Sequence, residues 1–154
     1  MRNTVFGFVA LLAFVVLGAS HTMAQDCSSV PNQSFAIAAA SGPAAGFSGV
    51  WEGTWTIQTG MRKNSTAVSY CTHLHVSVTG PDSANVMYCL GSQPTARIAA
   101  GCAQYPAKIS GDQLTFTSRA NIAYTFTQSG GSLTGTYASP VRSTEQPTTT
   151  FHKL

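Results

Sequence analysis

Residues 47–57 read Phe47-Ser48-Gly49-Val50-Trp51-Glu52-Gly53-Thr54-Trp55-Thr56-Ile57. In strand phase Phe47, Gly49, Trp51, Gly53, Trp55 and Ile57 share one face, because side chains alternate along an extended chain. Ser48, Glu52, Thr54 and Thr56 fall on the other, with Val50 the apolar exception. In helical phase the tryptophans would also align, but Gly49 and Gly53 would each cost a helix about 1 kcal/mol. No further apolar row supports a helix. The stretch is therefore a strand. Its glycines leave room for large rings and let it bend as a closing barrel requires.

The same period continues outward. Between Val68 and Val78 the even positions are Val, Tyr, Thr, Leu, Val and Val, and the odd ones are Ser, Cys, His, His and Ser. This alternation marks a strand with one buried face. Gly80-Pro81-Asp82 turns the chain into Val86, Tyr88 and Leu90. A longer loop leads to a short strand at Tyr105–Ile109. Turns at 110–112, 119–121 and 129–131 separate Leu114–Thr117, Ile122–Phe126 and Leu133–Tyr137, and a last strand runs near Thr148–Leu154. Tight turns between alternating segments predict an all-β fold: an antiparallel up-and-down meander closing into a barrel of about eight strands.

The first residues give the destination. Arg2 precedes an apolar run from Val5 to Leu17, and small residues lead to Ala24. This is the order of a secretory signal peptide, and the run is short of the roughly 20 residues of a membrane span. We expect cleavage after Ala24, with Ser20 as second choice, and a secreted or periplasmic product. Cys27 follows Ala24-Gln25-Asp26, which is not a lipoprotein box. The expected organisation is a signal peptide over 1–24, a lead-in over 25–46 and a barrel over 47–154. The Ala36–Ala40 run can form a helical turn, which Gly42-Pro43 would end.

Without Arg2, seven of the eight Lys and Arg face five Asp and Glu. So few charges, unclustered beyond Arg62-Lys63, argue against nucleic acid and against an anionic membrane surface. Cys27, Cys71, Cys89 and Cys102 all lie beyond the leader, and an even count in an exported domain points to two disulfides. No Cys-x-x-Cys pair favours zinc. We expect Cys89–Cys102, closing the loop between two strands, and Cys27–Cys71, tying the lead-in to the barrel. The rival is a cross-strand Cys71–Cys89 bond. Asn32 and Asn64 head glycosylation acceptor triplets, relevant in a eukaryote.

Gly-x-Trp in the first strand, followed by a meander, resembles the lipocalin-like (calycin) barrels. Gly49-Val50-Trp51 and Gly53-Thr54-Trp55 both fit that element. Leu133-Thr134-Gly135-Thr136-Tyr137 looks like a strand of the avidin-type barrels, although no biotin-binding residues can be matched. Over residues 47–154 the order of motifs is similar to small exported bacterial lipocalin-like domains of unassigned role. In lipocalins an arginine near the end of the barrel packs on the first-strand tryptophan, and Arg142 is the nearest candidate here.

His73 and His75, at i and i+2 on one strand face, have metal-ligand spacing, but they project opposite the apolar row and need a third ligand. Exposed strand histidines are the simpler reading. There is no Gly-x-Ser-x-Gly elbow, and Glu52 and Asp112 form a carboxylate pair by no special spacing. The expectation is a non-enzymatic exported barrel without a cofactor, binding a small apolar or amphipathic ligand. Trp51, Trp55, Tyr70, Tyr88, Phe116, Tyr124, Phe126 and Tyr137 would line its interior. The alternative is an exported interaction or inhibitor protein with a solid core, meeting a protein partner through its outer face or the loops at 58–66 and 91–104.

Overall fold

The computed structural model describes residues 27–60, 65–140 and 146–154. The expected signal peptide, Arg62-Lys63, Asn64 and Arg142 lie outside them. Eight antiparallel strands close into one barrel in sequence order: β1 Gly49–Thr59, β2 Thr66–Gly80, β3 Ser83–Leu90, β4 Gly101–Ser110, β5 Gln113–Thr117, β6 Ala123–Ser129, β7 Ser132–Ala138 and β8 Thr148–Lys153. The meander follows from the turns. Gly111, Gly130 and Gly131 sit at positive φ in tight connections, a conformation that costs glycine little. β8 returns to β1 through Trp51↔Lys153, Glu52↔His152 and Gly53↔Phe151, and two hydrogen bonds reinforce the seam, Leu154 N–H to Val50 O and Thr149 Oγ1 to Thr54 O.

The inward row of β1 is the expected one. Trp51 and Trp55 are 1% and 0% exposed. Gly53 faces Phe151 across the seam, and a Cβ on Gly53 would stand 2.7 Å from that ring. Gly135 makes similar room for the far side of the same ring and for Phe126. The interleaved glycines are thus the space into which Phe151 fits.

One end of the barrel is closed. Pro43 opens a 3-10 helix, Pro43–Phe47, whose Phe47 is fully buried. Trp51 Nε1–H donates to Phe47 O at 2.8 Å. Gly46 backs onto the side chain of Gln128 on β6, so the helix crosses beneath the barrel. Pro43 therefore starts a turn instead of ending one, as a proline with its fixed φ does at a first helical position. Ala36–Ala40 forms no helical turn.

The lead-in is extended from Pro31 to Ala40. It lies as a strap over the outer face of β2, β3 and β4, where Val30 and Phe35 pack with Met87 and the cysteines. Ala38 N–H donates to Ser77 Oγ at 3.0 Å. Cys27–Cys71 pins the strap, and Cys89–Cys102 joins β3 to β4. The rival Cys71–Cys89 pair fails on register: His73, not Cys71, stands opposite Cys89. Strand β4 begins at Gly101, four residues before its expected start, carried by its ladder to β3.

Candidate functional site

All eight expected interior residues are buried in the core cluster, but they do not line an empty tube. Trp55 crosses from β1 to touch Tyr137 and Phe151 at ring separations of 5.0 and 5.8 Å. Its Nε1–H donates to the Tyr88 hydroxyl on β3 at 2.6 Å. Tyr88 reaches Tyr124 on β6 at 4.8 Å and Phe116 on β5 at 5.6 Å. Rings from opposite walls meet on the axis, so the centre is packed. Trp51 belongs to the closed floor. Lys153 Nζ stands 5.3 Å above its ring, a cation–π contact. Among the described residues, which do not include Arg142, the cation over Trp51 is Lys153 within β8.

Open space lies where β4 parts from β5. Their ladder stops after Lys108↔Thr115, Ile109↔Leu114 and Ser110↔Gln113, whereas β4 pairs with β3 from Gly101 through Lys108. The Cα atoms of Cys89 and Cys102 are 4.0 Å apart, the spacing of a non-hydrogen-bonded pair. Cys102, and with it Gln104 and Pro106, therefore turn their backbone groups away from β3 toward the parting. Pro106, lacking an N–H, sits on that free side as a strand proline must. It removes one donor that another strand would need, which protects the edge.

Two cavities flank the parting and share Tyr124. One, about 580 Å³, lies on the outer wall over Ala107, Lys108, Thr115, Phe116 and Thr117. The other, about 340 Å³, is at the barrel mouth, lined by Tyr88, Leu90, Tyr105, Arg119, Ile122 and Tyr124 among others. Tyr105 stacks on Phe116 at 5.3 Å, and Phe116 on Tyr124 at 4.9 Å, all three rings nearly parallel. The loop between β3 and β4 folds toward this mouth. Gln93 Nε2 donates to Ser69 O at 2.7 Å, and Ala96 and Ile98 pack against the core. Arg119 stands on the β5–β6 turn, which Asn121 closes at φ 56°.

The mouth cavity has a polar back. Burial, with Tyr124 and Tyr70 nearby, pushes the Tyr88 hydroxyl well above the ordinary tyrosine range. Burial, with Tyr137 beside it, raises Tyr124 as well. Both phenols keep their protons at neutral pH. Thr72, fully buried on the inner face of β2, sits near Tyr88, but its Oγ1 makes no hydrogen bond of good geometry among the described residues. Sequence reasoning found Tyr88 and Tyr124 through their alternation. It missed Tyr105 and Arg119, because the parting that exposes them depends on where a ladder stops.

On the outer face, His73 Nε2 and Glu52 Oε2 lie 2.9 Å apart across the β1–β2 ladder. Neither histidine is the exposed residue expected: the His73 side chain is 20% exposed beside Glu52, and His75 is half-buried edge-on to Phe35 of the strap, its ring 6.3 Å from that of His73. Its pKa is lowered by burial, then by His73. Among the described residues no group of three or more His, Cys, Asp or Glu is placed to hold a metal ion, so the histidines find no third ligand there.

No protein-family model matches this chain, and no curated protein or solved structure is significantly similar to it. Two disulfides fit an oxidising compartment. No helix among the described residues is long and apolar enough to cross a membrane.

Proposed function

We propose that this chain is an exported, non-enzymatic lipocalin-like binding protein whose ligand is a small amphipathic molecule held at the barrel mouth. One observation carries the reading. A cavity of about 340 Å³ opens beside Tyr88 and Tyr124, bringing apolar walls and a few convergent polar groups together. That volume falls within the range of small-molecule pockets, and barrel mouths are a common place for them. The lipocalin-like part rests on the Gly49-Val50-Trp51 element, the closed meander of eight strands and the Lys153 cation over Trp51. The secreted or periplasmic location rests on the leader pattern together with the disulfides.

A titration with N-phenyl-1-naphthylamine, a neutral amphipathic fluorophore, tests the site. Saturable enhancement is expected, abolished by Ala103→Trp, which would fill the mouth from a partly exposed wall position. No saturable binding to the folded wild type refutes it. The wall-to-wall contacts of Trp55, Tyr88 and Tyr124 favour the second reading, a solid-core protein that meets a protein partner through its outer surface. That reading predicts the negative result.

A further inference from the structure

The polar chemistry of the mouth is one-sided. Tyr105 and Tyr124 bring phenol hydroxyls, Ser118 another hydroxyl, and Arg119 a guanidinium, while the Tyr88 hydroxyl is taken up by Trp55 Nε1–H and no aspartate, glutamate or histidine lines the cavity. Arg119 is exposed and sits on a turn, so its long side chain can swing across the opening. The outer-wall cavity repeats the pattern, with Lys108 among threonines and again no acid. A phenol kept protonated by burial offers a hydrogen and gains no charge. A guanidinium can only donate, and it pairs best with a planar carboxylate in a two-point contact. Neutral hydroxyls alone would serve many ligands. An arginine with no acid in the lining instead selects negative charge.

Shape narrows the choice further. Tyr105, Phe116 and Tyr124 form a near-parallel stack that reaches the mouth through Tyr105 and Tyr124. Flat rings prefer to pack offset against such surfaces. The volume equals the liquid share of about eleven water molecules, which suits a molecule of one or two rings and not a long acyl chain.

We infer that the ligand of this mouth is a small planar aromatic carboxylate, its ring against Tyr105 and Tyr124 and its carboxylate on Arg119. The inference rests on the proposed binding reading and adds its chemical class. The Tyr124 hydroxyl supplies a second donor to the carboxylate, and Leu90 and Ile122 cover the ring edges. Binding is a charge pairing at a partly wet site, so it weakens as salt rises.

Isothermal titration with 2-naphthoate and its neutral counterpart 2-naphthalenemethanol separates the parts of the argument. The wild type is expected to bind the acid at least tenfold more tightly than the alcohol. Arg119→Gln, at an exposed position that leaves the core intact, should erase most of that preference by weakening the acid far more than the alcohol. Raising sodium chloride from 50 to 500 mM should weaken the acid alone. Equal binding of both probes overturns the anion inference and leaves the mouth as a binding site. An acid preference that survives Arg119→Gln overturns the assignment of Arg119. If neither probe binds the folded protein, the inference falls together with the site.

Discussion

Gly53→Ala adds a single methyl group to the inner wall. The backbone of Gly53 does not need glycine, so elsewhere in a strand this change would stabilise by about 0.4–1 kcal/mol through the unfolded state. Here the new Cβ would stand 2.7, 2.8 and 2.8 Å from Cγ, Cδ1 and Cδ2 of Phe151. The ring has nowhere to retreat. It is fully buried, it meets Trp55 at 5.8 Å and Phe126 at 5.2 Å, and its Cε2 already lies 3.0 Å from where a Cβ on Gly135 would be. Overpacking of this kind costs about 1–3 kcal/mol. With three ring carbons in conflict the upper part of that range applies, and the net loss should be about 2 kcal/mol. For a domain of this size that lowers Tm by about 6–10 °C. Thermal and urea unfolding followed by circular dichroism would measure it. Gly53→Ala/Phe151→Leu should recover part of the loss, because the smaller side chain vacates the space, giving a non-additive cycle. A Gly53→Ala protein as stable as the wild type, or a double variant whose costs simply add, would refute the idea that Gly53 exists to seat Phe151.

Both tryptophans are enclosed, so native emission should be blue-shifted and move to the red in denaturant; a red native maximum would mean the β1 phase is wrong. Trp51→Ala should cost about 3–5 kcal/mol as a buried aromatic truncation, read from urea unfolding, while Trp51→Phe should keep the fold. His75 has a lowered pKa in the fold, so the unfolded chain takes up its proton first as pH falls. Stability should be flat above the ordinary histidine value of 6.5, decline below it and level off below the folded pKa; His75→Gln should remove that decline in Tm measured between pH 8 and 4.5. Replacing Cys89 and Cys102 together by alanine should cost about 3 kcal/mol by chain entropy, for a sequence separation of 13 residues. Replacing Cys27 and Cys71 should instead free the strap, exposing residues 28–42 to protease while the far-ultraviolet spectrum of the barrel persists.

Much of this fold could be read from alternation. Trp51, Trp55, Leu74, Tyr88, Phe126 and Tyr137 announce themselves because a period of two separates one buried face from one wetter face. The pattern fades where both faces are covered. Met87, Cys71 and Cys89 point outward yet are buried, because the strap lies over them, and no local rule says which surface a Ser/Ala-rich segment will choose. It fades again at residues 101–104, a β4 segment with no buried residue, which is a strand because β3 holds it. Of the candidate site, the aromatic row was legible. The parting between β4 and β5 was not, because the length of a ladder is set by how the strands splay in three dimensions. Pro106 hints at a free edge, but a proline in a strand does not say how wide the opening is.

The seam between β1 and β8 has a consequence for how the molecule is made. Seven of the eight seams join neighbours in sequence and can form as soon as each hairpin is complete. The eighth joins Trp51 to Lys153 and must bring together strands about a hundred residues apart, so loop entropy delays it. Until residues 148–153 arrive, one side of β1 is bare, and a bare strand carrying two tryptophans invites pairing with another chain. Both disulfides lie within residues 27–102 and need none of the later strands. An oxidising compartment can therefore fasten the strap and the β3–β4 hairpin first, leaving a cross-linked half-barrel against which the remaining strands close.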